Sequence, residues 1–279
     1  MDFPMSDAGR FVGTAFVGQL TLDSILYTTP SSPNMKGDWA RIVNLPTFDA
    51  QGLKITFRQS DTTASDERKY LVDLGIGSSN SIAILCHNVL FQYGGTGQQV
   101  GRFDLPVTVP KSTEIWVRGQ SQVSGTANIR VSVGYFSSGF QYPSALGAAT
   151  TTYGVTVDST AGTQIDPGAI VATKGAYFEI SPSIASDIKY AVVCVGNQAN
   201  QADANMQILL DIAIGAAGSE VNIISDLLYS KNSIADDMSP PMVGVPVSIP
   251  AGARLSARAL CTNNNATDRL FDVAVIGVR

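Results

Sequence analysis

The sequence predicts an all-β protein made of two tandem, duplicated β-sandwich domains of jelly-roll type. Three observations carry this. Short segments alternate apolar and polar residues with period two: Leu53, Ile55 and Phe57 interleave with Lys54, Thr56 and Arg58. That pattern seats one face of a strand on a core and turns the other toward solvent. Clusters of Gly, Pro and Asn divide these segments, and no stretch reads as a long amphipathic helix. The chain also repeats itself in order. Asp73-Leu74-Gly75-Ile76-Gly77 returns 138 residues later as Asp211-Ile212-Ala213-Ile214-Gly215, and Val89-Leu90-Phe91 returns as Leu227-Leu228-Tyr229 at the same offset. Leu105-Pro106-Val107-Thr108-Val109-Pro110 returns as Val245-Pro246-Val247-Ser248-Ile249-Pro250 at 140, and Val131-Ser132-Val133 as Val273-Ala274-Val275 at 142. A drift of that size needs only short loop insertions. The expected units are residues 1–140 and 141–279, joined by a Gly- and Pro-containing linker over 137–147.

In the first unit the alternation places strands over residues 39–45, 53–59, 70–76, 82–91, 105–109, 114–120 and 128–136, with a weaker one near 14–17. The segment 85–92 is too uniformly apolar for periodicity to choose, and a helical turn fits there as well as a strand. In the second unit strands are expected over 153–157, 176–180, 188–196, 207–215, 221–229, 245–249, 254–260 and 270–278. Eight short strands in about 135 residues is what a two-sheet sandwich requires. Within each unit a strand runs into a proline turn and a second strand leaves it: Val109-Pro110-Lys111-Ser112-Thr113, and Ile249-Pro250-Ala251-Gly252-Ala253. Proline suits the first central position of such a turn and Gly252 the second, so each is read as a hairpin.

Charged residues make up 15% of the chain, against about 25% in ordinary soluble proteins. The net charge is −5, mean hydropathy is +0.13 and hydrophobic residues are 44%. A basic nucleic-acid footprint is missing, the chain is too apolar for disorder, and no apolar run approaches the length of a membrane span. Neither nucleic acid nor membrane is expected as a partner. Residues 1–140 carry 11 basic and 11 acidic side chains and residues 141–279 carry 7 and 12, so the whole excess lies in the second half. The opening Met1-Asp2-Phe3-Pro4-Met5-Ser6-Asp7 has no basic or apolar region, so no secretory signal is expected. Cys86, Cys194 and Cys261 are odd in number and far apart, which fits reduced, buried thiols in a protein matured in a cytoplasm.

Residues for catalysis are few. His87 is the one histidine, in an apolar segment where a satisfied ring is the ordinary reading, and its neighbour Cys86 points to the opposite strand face. Gly94-Gly95-Thr96-Gly97 lacks the Gly-Lys-Ser/Thr of a phosphate loop. No G-x-S-x-G occurs. Asp66-Glu67 and Asp236-Asp237 sit in polar loops as solvated charge, and Asp73 and Asp211 read as hydrogen-bonded strand positions. Asn197–Asn205 and Thr262–Asp268 have oxygen ligands without calcium-loop spacing. The expectation is therefore no catalytic, cofactor-binding or metal-binding residue, no cofactor, and no enzymatic activity. Trp39 and Trp116 read as core residues, with sugar stacking the alternative. Loops rich in Gly, Asn, Gln and Tyr, such as 92–99, 197–205 and 263–265, suit protein or sugar surfaces. Arg118 and Arg258, twelve residues after Pro106 and Pro246 in the repeated segment, read as arginines whose stems cover apolar surface, with a carboxylate or partner contact as the functional alternative.

The repeated segment carries a resemblance. Val247-Ser248-Ile249-Pro250-Ala251-Gly252-Ala253-Arg254-Leu255-Ser256-Ala257-Arg258, with its looser copy from Val107 to Arg118, resembles β-sandwich structural proteins of tailed-phage virions and gene transfer agents. The resemblance implies a virion protein assembled in a host cytoplasm, of the capsid-decoration or head-spike kind. The alternative it leaves open is a carbohydrate- or receptor-binding tail or baseplate protein. The implied partners are other virion proteins, such as capsid or tail components, and cell-surface glycan. A chain with so few charges to blunt its sheet edges is also expected to assemble with itself as a homo-oligomer; a trimer is implied by the resemblance alone.

Overall fold

The computed structural model describes residues 15–17, 25–42, 46–59, 68–93, 100–136, 150–197, 205–231, 238–239, 242–266 and 269–279. The strands are β1 (Ala15–Val17), β2 (Ile25–Thr28), β3 (Ala40–Ile42), β4 (Gly52–Gln59), β5 (Arg68–Ser78), β6 (Ser81–Tyr93), β7 (Val100–Leu105), β8 (Ile115–Ser121), β9 (Asn128–Phe136), β10 (Thr150–Tyr153), β11 (Thr163–Ile165), β12 (Phe178–Ser181), β13 (Ile188–Asn197), β14 (Met206–Ile214), β15 (Val221–Lys231), β16 (Met238–Ser239), β17 (Met242–Ile249), β18 (Leu255–Cys261) and β19 (Phe271–Val278). One 3-10 turn lies at Val157–Ser159. The fold is all-β, and no helix among the described residues is long and apolar enough to cross a membrane.

The strands form four antiparallel sheets. One has the order β1-β9-β4-β7, with β2 also on β9, and another β3-β8-β5-β6. The other two run β10-β19-β13-β17, with β11 on β19, and β12-β18-β14-β15-β16. Strand for strand, the second pair of sheets has the order of the first, with β16 added.

Alternation fills the sandwiches. In β4, Leu53, Ile55 and Phe57 are buried in a core with Val131, Val133 and Tyr135 of β9 and Leu105 of β7. A second core gathers Ile208, Leu210 and Ile212 of β14 with Ala191, Val193 and Val195 of β13 and Val273 and Val275 of β19. The other faces of β13 and β19 are apolar too. Tyr190, Val192, Cys194, Ala274, Ile276 and Val278 belong to the first core, and every residue of β19 is buried. A sheet covered on both faces loses its alternation and reads as a continuous apolar run. The first sandwich thus closes its open side, between edge strands β6 and β7, on a sheet face of the second.

Polar contacts seal this junction. Lys69 Nζ lies 2.6 Å from Asp272 Oδ2, both side chains buried. Gln120 Nε2 donates to Val157 O and Thr160 Oγ1 at 2.7 Å each, and Thr160 Oγ1 donates to Asn34 Oδ1 at 2.7 Å. Thr150 Oγ1 donates to Leu85 O at 2.7 Å, and Thr152 Oγ1 to His87 O.

Several expected elements shift. The strand expected at 105–109 ends at Leu105, and only Val109 bridges back, to Ala50. Pro106 brings no N–H to a ladder. Pro246 is tolerated inside β17 because that strand is an edge and the register slips there between Ile188 and Tyr190. The strand expected at 153–157 lies earlier, at β10, because Gly154 turns the chain at φ 79°. Strands β2, β11 and β16 are too short for a period to show. The segment 85–92 is strand, not helix. Residues 14 and 43–45, the acidic opening, the loop 94–99, the linker 137–147, most of 197–205, Asp66-Glu67 and Asp236-Asp237 lie outside the described residues.

Candidate functional site

The most elaborate polar constellation occurs twice. Asp73 lies in β5 and Asp211 in β14, each directly across the ladder from an arginine, Arg118 of β8 and Arg258 of β18. A covering segment, residues 29–39 or 167–177, runs along the edge of β8 or β18 and sends a lysine and an aromatic side chain over the outer face. Its Gly37 N–H donates to Gly119 O at 3.1 Å, and the equivalent Gly175 N–H to Ala259 O at 2.8 Å. Its lysine then reaches the aspartate. Lys36 Nζ donates to Asp73 Oδ1 at 2.7 Å and to Leu71 O at 2.8 Å. Lys174 Nζ donates to Asp211 Oδ1 at 2.6 Å and to Leu209 O at 3.0 Å.

The arginines complete each cluster. Arg118 Nε donates to Asp73 Oδ2 at 2.9 Å, and its guanidinium lies 4.6 Å from the centre of the Trp39 ring. Arg258 Nε donates to Asp211 Oδ2 at 3.1 Å and lies 4.5 Å from the Tyr177 ring. A bulge in the neighbouring strand supplies one backbone donor. Asn88 (φ 52°) and Asp226 (φ 56°) take the left-handed conformation that Asn and Asp tolerate best. This turns the Asn88 N–H onto Asp73 at 2.8 Å and the Asp226 N–H onto Asp211 at 3.0 Å.

Burial pushes both carboxyls up, but the lysine, the backbone N–H and the arginine outweigh it and hold them below the ordinary aspartate value. Burial lowers Lys36. Each aspartate is thus a fixed anion whose oxygens are already taken, which suits anchoring rather than proton transfer.

The two clusters differ at the surface. In the second, Tyr177 Oη donates to Asn222 Oδ1 at 2.6 Å, and Asn222 Nδ2 donates to Asp211 Oδ2 at 3.1 Å. Asp226 adds a carboxylate 2.8 Å from Lys174 whose side chain is 60% exposed. In the first, Trp39, Ile84 and Asn88 stand at these places, with Asn88 Nδ2 3.2 Å from His87 Nδ1. Burial lowers the His87 pKa.

Other singled-out residues fall as follows. Trp39 and Trp116 are half-buried on the outer face rather than in the core. Trp116 alternates with buried Ile115 and Val117, and its Nε1 donates to Gly77 O at 2.8 Å. The three cysteines are free and buried; burial pushes the Cys86 thiol up to about 12. Among the described residues no group of three His, Cys, Asp or Glu is placed to hold a metal ion. Lys36, Lys174, Tyr177, Asn222 and Asp226 escaped the sequence reading. The signal was there: Lys36-Gly37 returns as Lys174-Gly175 at the same offset of 138.

No family model and no curated protein matches the chain. Solved structures do. PNGF-II is 7% identical with a TM-score of 0.39 over 95% of this chain, which spans 65% of that protein's length. PNGase F, a glycosylasparaginase from Flavobacterium meningosepticum, is 11% identical with a TM-score of 0.37 over 95% of this chain and 96% of its own. The top component of cowpea mosaic virus is 11% identical with a TM-score of 0.35 over 99% of this chain and 94% of its own. The expectation of no enzymatic activity is corrected here: the matches include a glycosylasparaginase, so enzymes are no longer excluded. At these scores no residue role passes to this chain.

Proposed function

We propose that the chain is a carbohydrate- or receptor-binding component of a tailed-phage particle, and that the outer faces of the sheets bearing Asp73 and Asp211 are its recognition surfaces. One observation carries this reading: each sandwich holds a half-buried aromatic ring, an arginine, a lysine and an aspartate in one constellation at the surface. Rings with fixed hydrogen-bonding groups around them suit sugar hydroxyls and C–H faces. The internal ion pairs hold these groups in place before a ligand arrives, which lowers the ordering cost of binding. The second site, with Tyr177, Asn222 and exposed Asp226, is the better equipped.

The division into units 1–140 and 141–279, read as copies of one sandwich, belongs to the same proposal, as does location on the virion. The shared strand order supports the first, and the Val247–Arg258 segment with its copy supports the second. That segment also favours a second reading, capsid decoration or head spike. Glycan-array binding tests the first. We expect a discrete set of glycans to bind and Asp226→Ala to weaken them about tenfold or more, the loss of one good polar contact. An array with no bound glycan, together with a particle map that places the chain on the capsid shell, would assign the decoration role instead.

A further inference from the structure

The two recognition surfaces present the same arginine in different electrostatic company. Arg118 and Arg258 spend only Nε on the protein, on Asp73 and Asp211. Their η nitrogens have no protein partner among the described residues, and the side chains reach solvent, 30% and 31% exposed. Other arginines use that end: Arg254 gives an η nitrogen to Glu220, and Arg269 gives both, to Asn264 O and Asp166. Each of the two repeated guanidiniums is thus pinned by a buried carboxylate and laid against a ring, with its η pair unspent. Two parallel N–H groups in a fixed plane match the two oxygens of a carboxylate. In the second sandwich, Lys174 and Arg258 are balanced by Asp211 and by the exposed Asp226. In the first, Asn88 stands where Asp226 does, and Lys36 and Arg118 share Asp73 alone. Asp38, exposed beside Trp39, makes no ion pair with either cation among the described residues. Burial holds His87 uncharged at neutral pH.

We propose, resting on the carbohydrate-binding reading above, that the Arg118 site takes the carboxylate of an acidic sugar and that Asp226 restricts the Arg258 site to uncharged sugars. At the first site the carboxylate docks on the η N–H pair of Arg118, and the surplus cation of the cluster favours it. Apolar ground for the sugar ring lies beside the fork. Trp39 packs over Gly75, where a Cβ would stand 3.1 Å from the indole, and Ile84, across the ladder from Gly75, is 50% exposed. At the second site an incoming carboxylate would meet the negative charge of Asp226 in the same cluster. Asp226 and Asn222 instead offer acceptors and a donor to sugar hydroxyls. The replacement of Ile84 by Asn222 moves in the same direction, from an apolar contact to a hydrogen-bonding one. A single exchange of Asn for Asp at the bulge thus separates two ligand classes on otherwise repeated machinery.

The test uses the full chain on an array of sialylated and glucuronate-terminated glycans beside their uncharged parents, followed by calorimetric titration with the acidic glycan that binds. The expected result is one acidic glycan per chain, bound less tightly as salt is added. Arg118→Gln should weaken it about tenfold or more, and Arg118→Lys, which keeps the charge but loses the fork, should weaken it too. Asp226→Asn changes an exposed side chain and keeps a residue that tolerates the left-handed backbone. It should raise the acidic stoichiometry from one to two and restore acidic binding to the Arg118→Gln chain. Near-ultraviolet circular dichroism verifies that each variant is folded. Three results would overturn the proposal and leave the carbohydrate reading standing: uncharged glycans bound with acidic ones refused, acidic binding that Arg118→Gln leaves intact, or an Asp226→Asn chain that still binds one. An array with no bound glycan would overturn both.

Discussion

Asp73 and Asp211 are buried carboxylates that each neutralise a lysine and an arginine, so removing one leaves two cations with a lost counter-charge. Breaking a fully buried pair costs about 3–5 kcal/mol. These lysines and arginines reach solvent, so Asp211→Ala is expected to cost about 2–3 kcal/mol in urea unfolding, within the range for lost polar networks. Asp211→Asn, which can still accept from the Asp226 N–H, should cost less. The pH dependence follows from the same contacts. Because both folded carboxyls titrate below the unfolded value, their contribution is complete above about pH 4 and is lost as pH falls through the lower folded values. His87, lowered by burial, adds a gentler loss that begins as pH drops below 6.5, where the unfolded chain takes up its proton. The double variant Asp73→Asn, Asp211→Asn should show a shallower acid limb than the parent. An identical limb would mean that other carboxylates govern it.

At the scale of elements, the hairpins β5–β6 and β14–β15 turn on glycines in equivalent places. Gly77 has φ 122° and Gly215 φ 120°, and a Cβ on Gly215 would stand 2.7 Å from Ser219 O. Gly215→Ala therefore meets backbone as well as strain and is expected to cost about 1–3 kcal/mol, read as a lowered thermal midpoint. The outer strands β3 and β12 show a reversal of charge. Arg41 pairs with Glu114 at 2.8 Å, whereas at the matching positions Glu179 pairs with Arg254 at 2.7 Å. Arg41 is 53% exposed, so a double-mutant cycle on the first pair should give a coupling below about 1 kcal/mol. Much at this scale was legible in the sequence. Alternation and short apolar runs located β4, β5, β8, β9, β13, β14, β18 and β19, but the proline turns read as hairpins are corrected: each joins strands of different sheets, since β7 pairs with β4 and β8 with β3 and β5, while β17 pairs with β13 and β18 with β12 and β14. The covering segments were not legible, because Lys36 and Lys174 act across 37 positions of chain and carry no local period. Nor was the half-burial of Trp39 and Trp116, since a strand pattern shows which residues share a face but not what roofs it.

At the scale of the whole molecule, the first core takes in apolar side chains of β13, β17 and β19, so it is not complete without the second sandwich. Lys69 and Asp272 pair within that junction. Lys69→Met removes the buried cation beside the aspartate and should cost about 3–5 kcal/mol, whereas Lys69→Met with Asp272→Leu should recover most of the loss. Cys86 and Cys194 both lie in the shared core, their thiols pushed up by burial. A thiol reagent should therefore label them only as fast as the chain unfolds globally. Labelling of either at a rate insensitive to denaturant would show that the sandwiches part independently.

The reversed pair at β3 and β12 also bears on how the chain reaches its fold. Sheets of the same strand order within one polypeptide invite exchange, in which a strand of one half settles into the slot of the other while both are still forming. If β12 took the place of β3, Glu179 would face Glu114; if β3 took the place of β12, Arg41 would face Arg254. Like charges set against each other oppose either error, so the exchange of sign works as an address that directs each strand to its own half.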